Sequence, residues 1–368
     1  MKLSIAIAGT RGIPNEYGGF EQFATYLSEY LVKRGHTVTV YNSHKHGYQE
    51  HLWRGVTIVH CYDPEYMVGT FGQFIYDFNC IRDARSKNFD IVLFLGYTSN
   101  AIWGFYYPFG AKIITNMDGM EWKRSKYHAL VRYFLKWSEK MAVKYSHQLV
   151  ADSIPVMNYL ERKYKRNATF ISYGATVPEN NVHSDLTKYG VKEKNYFLLI
   201  ARMEPENNID TVLEGYTKSG ASEKMLVIGH TGNAFGKKML KKYGKRTTIL
   251  FPGAIYDKEE LDELRKHCIA YFHGHSVGGT NPSLLEAMAA GSQIMAHENE
   301  FNRAVLGNRA YYFSNAEDIA ILLSQKIPDD KHEKDIQQNR DLIEKNHQWN
   351  TIVDQYEHLF YNTVQKSK

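Results

Sequence analysis

A glycine-rich segment in the last third of the chain carries the clearest chemical signal. Residues 275–291 read His-Ser-Val-Gly-Gly-Thr-Asn-Pro-Ser-Leu-Leu-Glu-Ala-Met-Ala-Ala-Gly and follow an apolar run at 269–273. This pattern predicts a strand, a loop and a helix that opens at Pro282, where unpaired backbone N–H groups and the positive end of the helix dipole favour an anion. We expect this anion to be a phosphate. The residues expected to line this site are Gly278, Gly279, Thr280 and Asn281.

The carboxylate of Glu286 lies one turn inside the same helix, on the side of its start. Because a carboxylate repels phosphate, we expect Glu286 to bind hydroxyl groups instead. The two hydroxyls of a ribose lying behind the phosphates would suit it. Phosphates at the helix start and a ribose behind them describe a bound nucleotide.

A second polar segment follows the apolar run at 196–201. It begins at Arg202 and contains Glu204, Glu206 and Asn207. An arginine at the end of a strand is suited to bidentate contact with a phosphate. The alternative is a surface arginine that pairs with one of the two nearby glutamates.

Residues 273–288, with the segment at Arg202, resemble the nucleotide-sugar signature of retaining GT-B glycosyltransferases of the family 4 type. The sequence of this segment is similar to that of the rhamnosyltransferase-like branch, whose N-terminal half was catalogued as a domain of unknown function. In that signature two glutamates stand eight positions apart, and here Gly278 replaces the first. The lysine that grips the donor diphosphate corresponds to Asn207. One cation and one anion are therefore lost together, which indicates a modified site.

The resemblance implies a GT-B fold, in which two Rossmann-like domains face a cleft that holds the active site. It also implies that Arg202 and Asn207 stand at the donor diphosphate, and that a polar loop reads the edge of the base through its backbone. Each of the two loops expected to support the nucleotide could equally be an ordinary strand-to-helix connection. The candidate residues in these loops are Gly229, His230, Gly253, Ile255 and Tyr256.

Near the N-terminus, a glycine-rich stretch lies between the first apolar run and a helix predicted over about 20–34. Its spacing is not that of the dinucleotide fingerprint, which argues against a dehydrogenase. By resemblance, the loop faces the donor diphosphate, with Arg11 as charge compensation; otherwise it is a long connection with turn glycines. The candidate residues are Gly12, Gly18 and Gly19.

Two carboxylates, Asp118 and Glu121, follow the strand predicted at 112–115. They stand where family 4 enzymes often place a His-Asp or His-Asn pair at the sugar. Either carboxylate could accept a proton from an attacking hydroxyl or bind sugar hydroxyls. The alternative is a helix N-cap at Asp118, with Glu121 completing a capping box.

The helix predicted over 123–147 carries seven basic residues against the single acid Glu139, with aromatic residues between them. A basic amphipathic helix of this kind suits an anionic membrane surface. The alternative is a packed helix with a solvated cationic face. If the acceptor is a polyprenyl-linked sugar, peripheral attachment at the inner face of the cell membrane would have a purpose.

These segments need a scaffold, and 368 residues exceed what one hydrophobic core usually organises. Short apolar runs alternate with helical patterns, which predicts an α/β protein with two doubly wound sheets. Loss of periodicity after Tyr173 indicates a linker. We expect an N-terminal acceptor-side domain at 1–176, a nucleotide-sugar-binding domain at 177–346 and a C-terminal helix at 347–368 that returns to the first domain.

Composition excludes several classes of function. A net charge of +5 is mild for a nucleic-acid binder, and three separated cysteines fit a reducing cytoplasm without disulfides. No metal-binding spacing and no Asp-x-Asp motif are present, so we expect neither metal nor cofactor. No run is long enough for a membrane span, and the N-terminus reads as a first strand rather than a signal peptide.

These features and the resemblance together predict a cytoplasmic glycosyltransferase that moves a sugar from a nucleoside diphosphate to a hydroxyl of a surface polysaccharide or lipid-linked oligosaccharide. Retention of the sugar's configuration is implied by the resemblance alone. The branch resemblance favours L-rhamnose from dTDP-rhamnose. Two alternatives share the fold: a catalytically silent nucleotide-sugar-binding scaffold and a sugar-nucleotide epimerase. Gly278 weakens the epimerase, because it removes one plausible acid/base carboxylate.

Overall fold

The computed structural model describes residues 1–16, 18–124, 127–179, 185–325 and 329–365. These form two compact units. The first contains residues 1–123, 127–173 and the chain from Trp349 onwards. The second contains Arg124 and residues 174–348.

The first unit is built on an eight-stranded sheet flanked by helices. Its strands are β1 (Ser4–Ala8), β2 (Thr37–Ser43), β3 (Leu52–Trp53), β4 (Val56–Cys61), β5 (Ile91–Leu95), β6 (Lys112–Asn116), β7 (Gln148–Ala151) and β8 (Ala168–Phe170). Its helices before the second unit are α1 (Gly19–Lys33), α2 (Glu65–Val68), α3 (Gly72–Arg85), α4 (Ala129–Tyr145) and α5 (Ile154–Tyr164).

The strand order of this sheet is β3-β4-β2-β1-β5-β6-β7-β8, and every pair is parallel except β3 with β4. Strand β5 is buried along its whole length, as expected for a parallel strand covered on both faces. The order reverses between β1 and β5, because the chain builds outward from β1 on one side and then crosses to the other. Ligands of such sheets bind outside the carboxyl ends of the strands at this switch point.

The second unit has a six-stranded, wholly parallel sheet. Its strands are β9 (Tyr196–Ile200), β10 (Lys224–Ile228), β11 (Ile249–Gly253), β12 (Ala270–His273), β13 (Ile294–His297) and β14 (Tyr311–Phe313). Its helices are α6 (Ile209–Ser219), α7 (Ala234–Tyr243), α8 (Lys258–His267), α9 (Pro282–Ala289), α10 (Glu300–Leu306), α11 (Ala316–Ser324) and α12 (Asp329–Leu342).

The strand order β11-β10-β9-β12-β13-β14 has its switch point between β9 and β12. This is the order of the dinucleotide-binding Rossmann sheet. Strands β9 and β10 and the helices that follow them bury a continuous apolar cluster that includes Leu199, Val212 and Val227. The cluster fixes the sheet from which the candidate loops emerge.

The last helix, α13 (Trp349–Gln365), packs within the first unit. Trp349 stacks on Tyr26 of α1 with ring centroids 4.4 Å apart, and Tyr356 lies 5.3 Å from Phe23. Glu357 accepts hydrogen bonds from Arg34 at 2.8 Å and contacts the ring of His36 at 2.8 Å. The core of the first unit therefore contains residues from both ends of the chain.

The predicted α/β class with two doubly wound sheets is confirmed. The short strands β3 and β14 were not expected from the sequence. The basic helix predicted over 123–147 is shorter, because α4 begins at Ala129 and residues 121–123 form a separate 3-10 turn.

Candidate active site

Two loops of the second unit meet at the switch point between β9 and β12. The β9 loop, residues 201–208, joins β9 to α6, and the β12 loop, residues 274–281, joins β12 to α9. Because both leave the carboxyl edge of adjacent parallel strands, they stand side by side. The position matches the ligand crevice expected for this sheet order.

Hydrogen bonds join the two loops. The side-chain amide of Asn208 donates to the carbonyl of Gly274 at 2.8 Å, and Ser276 donates to the carbonyl of Glu206 through its N–H at 3.0 Å and its hydroxyl at 2.8 Å. A Cβ on Gly274 would lie 2.1 Å from the carbonyl oxygen of Asn207. The β9 loop and the β12 loop therefore form one rigid surface.

The start of α9 has the features expected of an anion site. Pro282 occupies the first turn, and the side chain of Asn281 caps the helix by accepting the N–H of Ser283 at 2.9 Å. Gly278 has φ of 128°, a conformation that residues with side chains rarely adopt. The loop conformation itself therefore requires glycine at 278, and a glutamate there would be strained.

The exposed side chain of Arg202 stands directly after β9 at this crevice. Within the described ranges it has no ion pair, so the alternative of a surface pair with Glu204 or Glu206 is wrong. Those two carboxylates lie 3.6 and 3.5 Å from Arg124 instead. Arg202 thus remains available to an anionic ligand.

The structure gives Asn207 a role that differs from the expected contact with a diphosphate. Its side chain is buried, with 3% of the residue exposed, and its amide nitrogen donates to the carbonyl of Arg202 at 2.7 Å. Asn207 therefore shapes the β9 loop and orients the backbone that carries Arg202. A lysine could not make this neutral, buried contact without losing the hydration of its charge.

The remaining candidate loops lie at the same edge of the second sheet. Gly229 follows β10, and its N–H donates to the carbonyl of Gly253 at 2.9 Å. A Cβ on Gly229 would lie 2.1 Å from the carbonyl oxygen of Ala201, so close packing requires this glycine. His230 is exposed, Ile255 is half-buried and Tyr256 is 74% exposed.

Two histidines of this edge were missed by the sequence analysis. His273 and His275 stack with ring centroids 4.5 Å apart, and His273 is completely buried. Burial, together with the nearby charges of Arg202 and Arg124, lowers the pKa of His275 to about 3. Burial also holds the pKa of His273 well below its ordinary value. Both imidazoles are therefore neutral at physiological pH. The sequence signal was a His-Gly-His run at a strand end, without metal-ligand spacing.

In the first unit, the glycine-rich loop follows β1 at the other switch point. Gly12 has φ of 132°, and a Cβ there would lie 2.4 Å from the side chain of Asn42, which is buried and bonded to the backbone of Ile13. Gly18 and Gly19 stand at the start of α1. Gly12 is thus required by packing, whereas Gly18 is half-buried and Gly19 is exposed at the start of α1.

Arg11 was expected to compensate the charge of the donor diphosphate, but in the structure its guanidinium pairs with a carboxylate of the first unit. The guanidinium of Arg11 makes a bidentate contact with Glu65, with Nη2 and Oε1 2.7 Å apart and Nε and Oε2 3.1 Å apart. The N–H of Arg11 donates to Glu21 at 2.9 Å. Its charge is used within the first unit.

Asp118 stands after β6 in a left-handed conformation, with φ of 47°. N-cap residues typically have an extended backbone, which Asp118 does not have. The N–H of Asp118 donates to Asn116 at 2.9 Å, and Tyr173 donates to its carboxylate at 3.4 Å. Glu121 is half-buried at the start of a 3-10 turn. Strained residues of this kind cluster at functional sites.

Comparison with known proteins follows the division into two units. Residues 2–176 match the family described as "Domain of unknown function (DUF1972)", and residues 163–342 match "Glycosyl transferases group 1". No curated protein matches the chain significantly. Sucrose-phosphate synthase from Thermosynechococcus elongatus is similar over 100% of both chains, with 14% identity and a TM-score of 0.79.

The chain has the GT-B fold of glycosyltransferases. HepE from Anabaena in complex with UDP-glucose is similar over 98% of this chain and 99% of its own, with 12% identity and a TM-score of 0.76. α,α-Trehalose 6-phosphate synthase from Burkholderia multivorans covers 100% of both chains, with 10% identity and a TM-score of 0.74. Most of the second unit lies in the segment 163–342 that matches "Glycosyl transferases group 1".

The described residues contain no candidate metal-binding site. No group of three or more His, Cys, Asp or Glu side chains there could hold a metal ion. Neither does any described helix have the length and apolar character needed to cross a membrane.

A buried carboxyl lies near the switch point of the first unit. Asp77 of α3 is 4% exposed and accepts a hydrogen bond from the hydroxyl of Ser99 at 2.6 Å. Burial raises the pKa of Asp77 to about 7, although the bond from Ser99 opposes the shift and Asp63 adds to it. The folded protein therefore keeps a proton that the unfolded chain releases near pH 4.

This proton makes the stability of the first unit depend on pH. Between about pH 4 and pH 7 the folded state binds more protons than the unfolded state. As the pH rises through this range, the free energy of unfolding therefore falls by up to about 1.4 kcal/mol per pH unit. Asp77→Asn keeps an acceptor for Ser99, and we expect it to abolish this fall. Denaturant unfolding at pH 5, 6.5 and 8 measures the difference, with the exposed Asp354→Asn as control. An unchanged slope in Asp77→Asn would contradict the assignment.

Proposed function

We propose that this protein is a retaining glycosyltransferase that moves a sugar from a nucleoside diphosphate donor to a hydroxyl of a surface-polysaccharide or lipid-linked acceptor. The carrying observation is that Arg202 lies on the β9 loop, which is hydrogen-bonded to the β12 loop that leads into α9. The two loops carry Arg202, which has no ion pair in the described ranges, and the loop amides and capped start of α9. Such a set suits a diphosphate better than any other common ligand.

In this proposal the leaving diphosphate is stabilised by the second unit. The guanidinium of Arg202 and the amides of Gly279, Thr280 and Asn281 would neutralise the charge that develops as the bond from sugar to diphosphate breaks. The acceptor hydroxyl would attack from the same face of the sugar, which retains the configuration. Glu286 would bind the pentose of the nucleotide.

The first unit would bind the acceptor side. Asp118 is a carboxylate at a strand end, held in a strained conformation, and it would accept the proton of the acceptor hydroxyl or bind sugar hydroxyls. Glu121 would assist as a second hydrogen-bond acceptor. Gly18 and Gly19 would present the start of α1 to an anionic group.

The donor we propose is dTDP-L-rhamnose, on the basis of the branch resemblance. Backbone contacts at Gly253, Ile255 and Tyr256 would read the base, and a UDP or GDP sugar would fit such contacts as well. The sequence of residues 273–288, which is similar to the rhamnosyltransferase-like branch, supports this choice. The base and sugar are therefore the first properties to measure.

A calorimetric binding panel tests the proposed function. We expect one of dTDP-rhamnose, UDP-glucose, UDP-N-acetylglucosamine and GDP-mannose to bind, and Glu286→Ala to weaken that donor by about tenfold or more because a charged hydrogen bond is lost. Donor hydrolysis or transfer would exclude a silent scaffold. Binding without turnover would favour the scaffold, and no binding by any donor would contradict the proposal.

We also propose that the protein attaches peripherally to an anionic membrane surface through α4. The inner face of α4 buries Leu135 and Glu139, whereas its outer face exposes basic and apolar side chains. Glu139, the only acid of the helix, is bonded to Trp122, Tyr159, Lys163 and Tyr164 and adds no charge to the surface. The exposed residues of α4 are Ala129, Leu130, Val131, Arg132, Tyr133, Lys136, Trp137, Lys140 and Lys144.

An apolar surface continues from this helix. Rings of Trp137, Phe134, Phe74 and Phe71 follow one another at 5.8, 5.6 and 5.7 Å, and Phe71 is 64% exposed. Beside it, α2 exposes Tyr66, Met67 and Val68. Contiguous apolar surface next to cations is typical of a membrane-binding face.

Vesicle binding tests this attachment. We expect Lys140→Glu with Lys144→Glu to reduce binding to vesicles containing anionic lipid by at least about tenfold, since each cation near such a surface contributes about 1 kcal/mol. The matched control is Lys237→Glu with Lys238→Glu on α7, where two exposed lysines of the second unit are reversed. Equal losses in both variants, or no preference of the wild type for anionic lipid, would rule out attachment through α4.

A further inference from the structure

A buried arginine lies behind the proposed nucleotide site. Arg265 of α8 is only 2% exposed and is among the largest fully buried side chains of the described residues. Its Nη2 lies 2.5 Å from Oε2 of Glu286, and its Nη1 lies 3.1 Å from Oδ1 of Asp262. One guanidinium therefore joins the carboxylate of α9 to a carboxylate of its own helix.

The backbone around Arg265 is also fixed. Its carbonyl accepts hydrogen bonds from the hydroxyl of Ser292 at 2.8 Å and from the thiol of Cys268 at 3.0 Å. At the outer end, the exposed Lys258 pairs with Asp262. Lysine, aspartate, arginine and glutamate thus alternate in charge from the surface to the site.

Burial of this guanidinium is costly for stability. Removing a cation from water costs several kcal/mol, and a buried ion pair is often no more stabilising than apolar side chains of the same volume. The pair does, however, hold the carboxylate of Glu286 in one orientation. Glu286 itself remains 16% exposed, so it can reach a ligand while Arg265 holds it from behind.

We propose that Arg265 is a positioning residue that orients the carboxylate of Glu286 toward the pentose hydroxyls of the bound nucleotide. This inference rests on the proposed function, because it requires a nucleoside diphosphate at α9. A planar guanidinium with two fixed donor directions constrains a carboxylate more strictly than a lysine does. Arg265 contributes to donor affinity only through Glu286 and only when the pentose carries hydroxyls.

The test compares nucleotides with and without these hydroxyls. Calorimetry measures the binding of UDP, GDP, ADP and dTDP, and of their counterparts without pentose hydroxyls, to the wild type, Arg265→Met, Glu286→Gln and the double variant. We expect each single variant to weaken the hydroxyl-bearing nucleotide by about 10-fold to 100-fold, the loss expected when hydrogen bonds to a charged group are removed. The counterparts should bind all four proteins equally, and the double variant should be no weaker than Glu286→Gln.

Lys258→Met is the matched control, because it removes the other cation of the row without touching Glu286. Arg265→Lys keeps a buried charge and provides the same comparison if the methionine variant does not fold. An equal loss with both kinds of nucleotide would mean that Arg265 is merely structural, and would overturn this inference while leaving the proposed function intact. If no nucleoside diphosphate binds the wild type, the inference and the proposed function fail together.

Discussion

Replacing Arg202 with alanine is expected to reduce donor turnover about 100-fold to 1,000-fold, a loss of roughly 3–4 kcal/mol in transition-state stabilisation. The reason is the position of its exposed guanidinium after β9, where among the described residues no carboxylate pairs with it. The charge of the leaving diphosphate rises as the bond to the sugar breaks, so the loss should be larger in turnover than in donor binding. Arg202→Lys should retain part of the activity, because it keeps the charge but not the bidentate geometry.

The rate of donor hydrolysis, monitored as the amount of nucleoside diphosphate released, measures this effect without a known acceptor. Arg246→Ala is the matched control: Arg246 is also exposed in the second unit, but it precedes β11 and so lies at the amino edge of the sheet. We expect this variant to hydrolyse the donor at the wild-type rate. Similar rates in Arg202→Ala and Arg246→Ala would exclude Arg202 from the diphosphate site.

The second large effect is expected for Gly274→Ala, a change that adds one methyl group. That group would lie 2.1 Å from the carbonyl oxygen of Asn207 and 3.4 Å from Cβ of Asn208. Since a backbone carbonyl cannot rotate away, the β9 loop and the β12 loop must separate, which breaks the bonds made by Asn208 and Ser276. Overpacking of this kind costs about 1–3 kcal/mol. We expect a lower unfolding midpoint and at least about tenfold weaker donor binding.

The control for this variant is Gly110→Ala, because nothing lies within 4 Å of a Cβ at that position. Ser276→Ala separates the two contributions further: it removes the hydroxyl bond to Glu206 but keeps the N–H bond. A small loss is expected for it. If Gly274→Ala binds donor as tightly as Gly110→Ala, the bonding between the loops does not control the site.

The sheets could be predicted from the sequence because their strands are buried on both faces and read as continuous apolar runs. The strand predicted at 112–115 corresponds to β6, Lys112–Asn116, for this reason. Strands β3 and β14 have two and three residues, which is too short for a periodic signal. The basic helix was placed too early because residues 123–128 contain neither glycine nor proline, and the extended backbone of His128 that starts α4 leaves no mark in the sequence.

The site was predictable where function rests on the backbone and not where it rests on side-chain partners. Pro282 and the glycines around 278 mark a loop and a helix start whatever surrounds them. The pairing of Arg11 with Glu65 joins residues 54 positions apart, and that of Arg265 with Glu286 joins residues on two helices. Asn207 was expected at the diphosphate because it corresponds to the lysine of the family signature. Its buried amide contact with the carbonyl of Arg202 could not be read from the sequence.

The place of α13 in the first unit has a consequence for synthesis on the ribosome. The chain is synthesised from its N-terminus, so α13 is made after residues 174–348 of the second unit, yet the core around Phe23 requires Trp349 and Tyr356. Until α13 has been made, α1 of the first unit therefore exposes an apolar face, although all residues of the second unit are already present. A stalled or shortened chain that lacks α13 would be a substrate for chaperones and proteases, however well its second unit is folded.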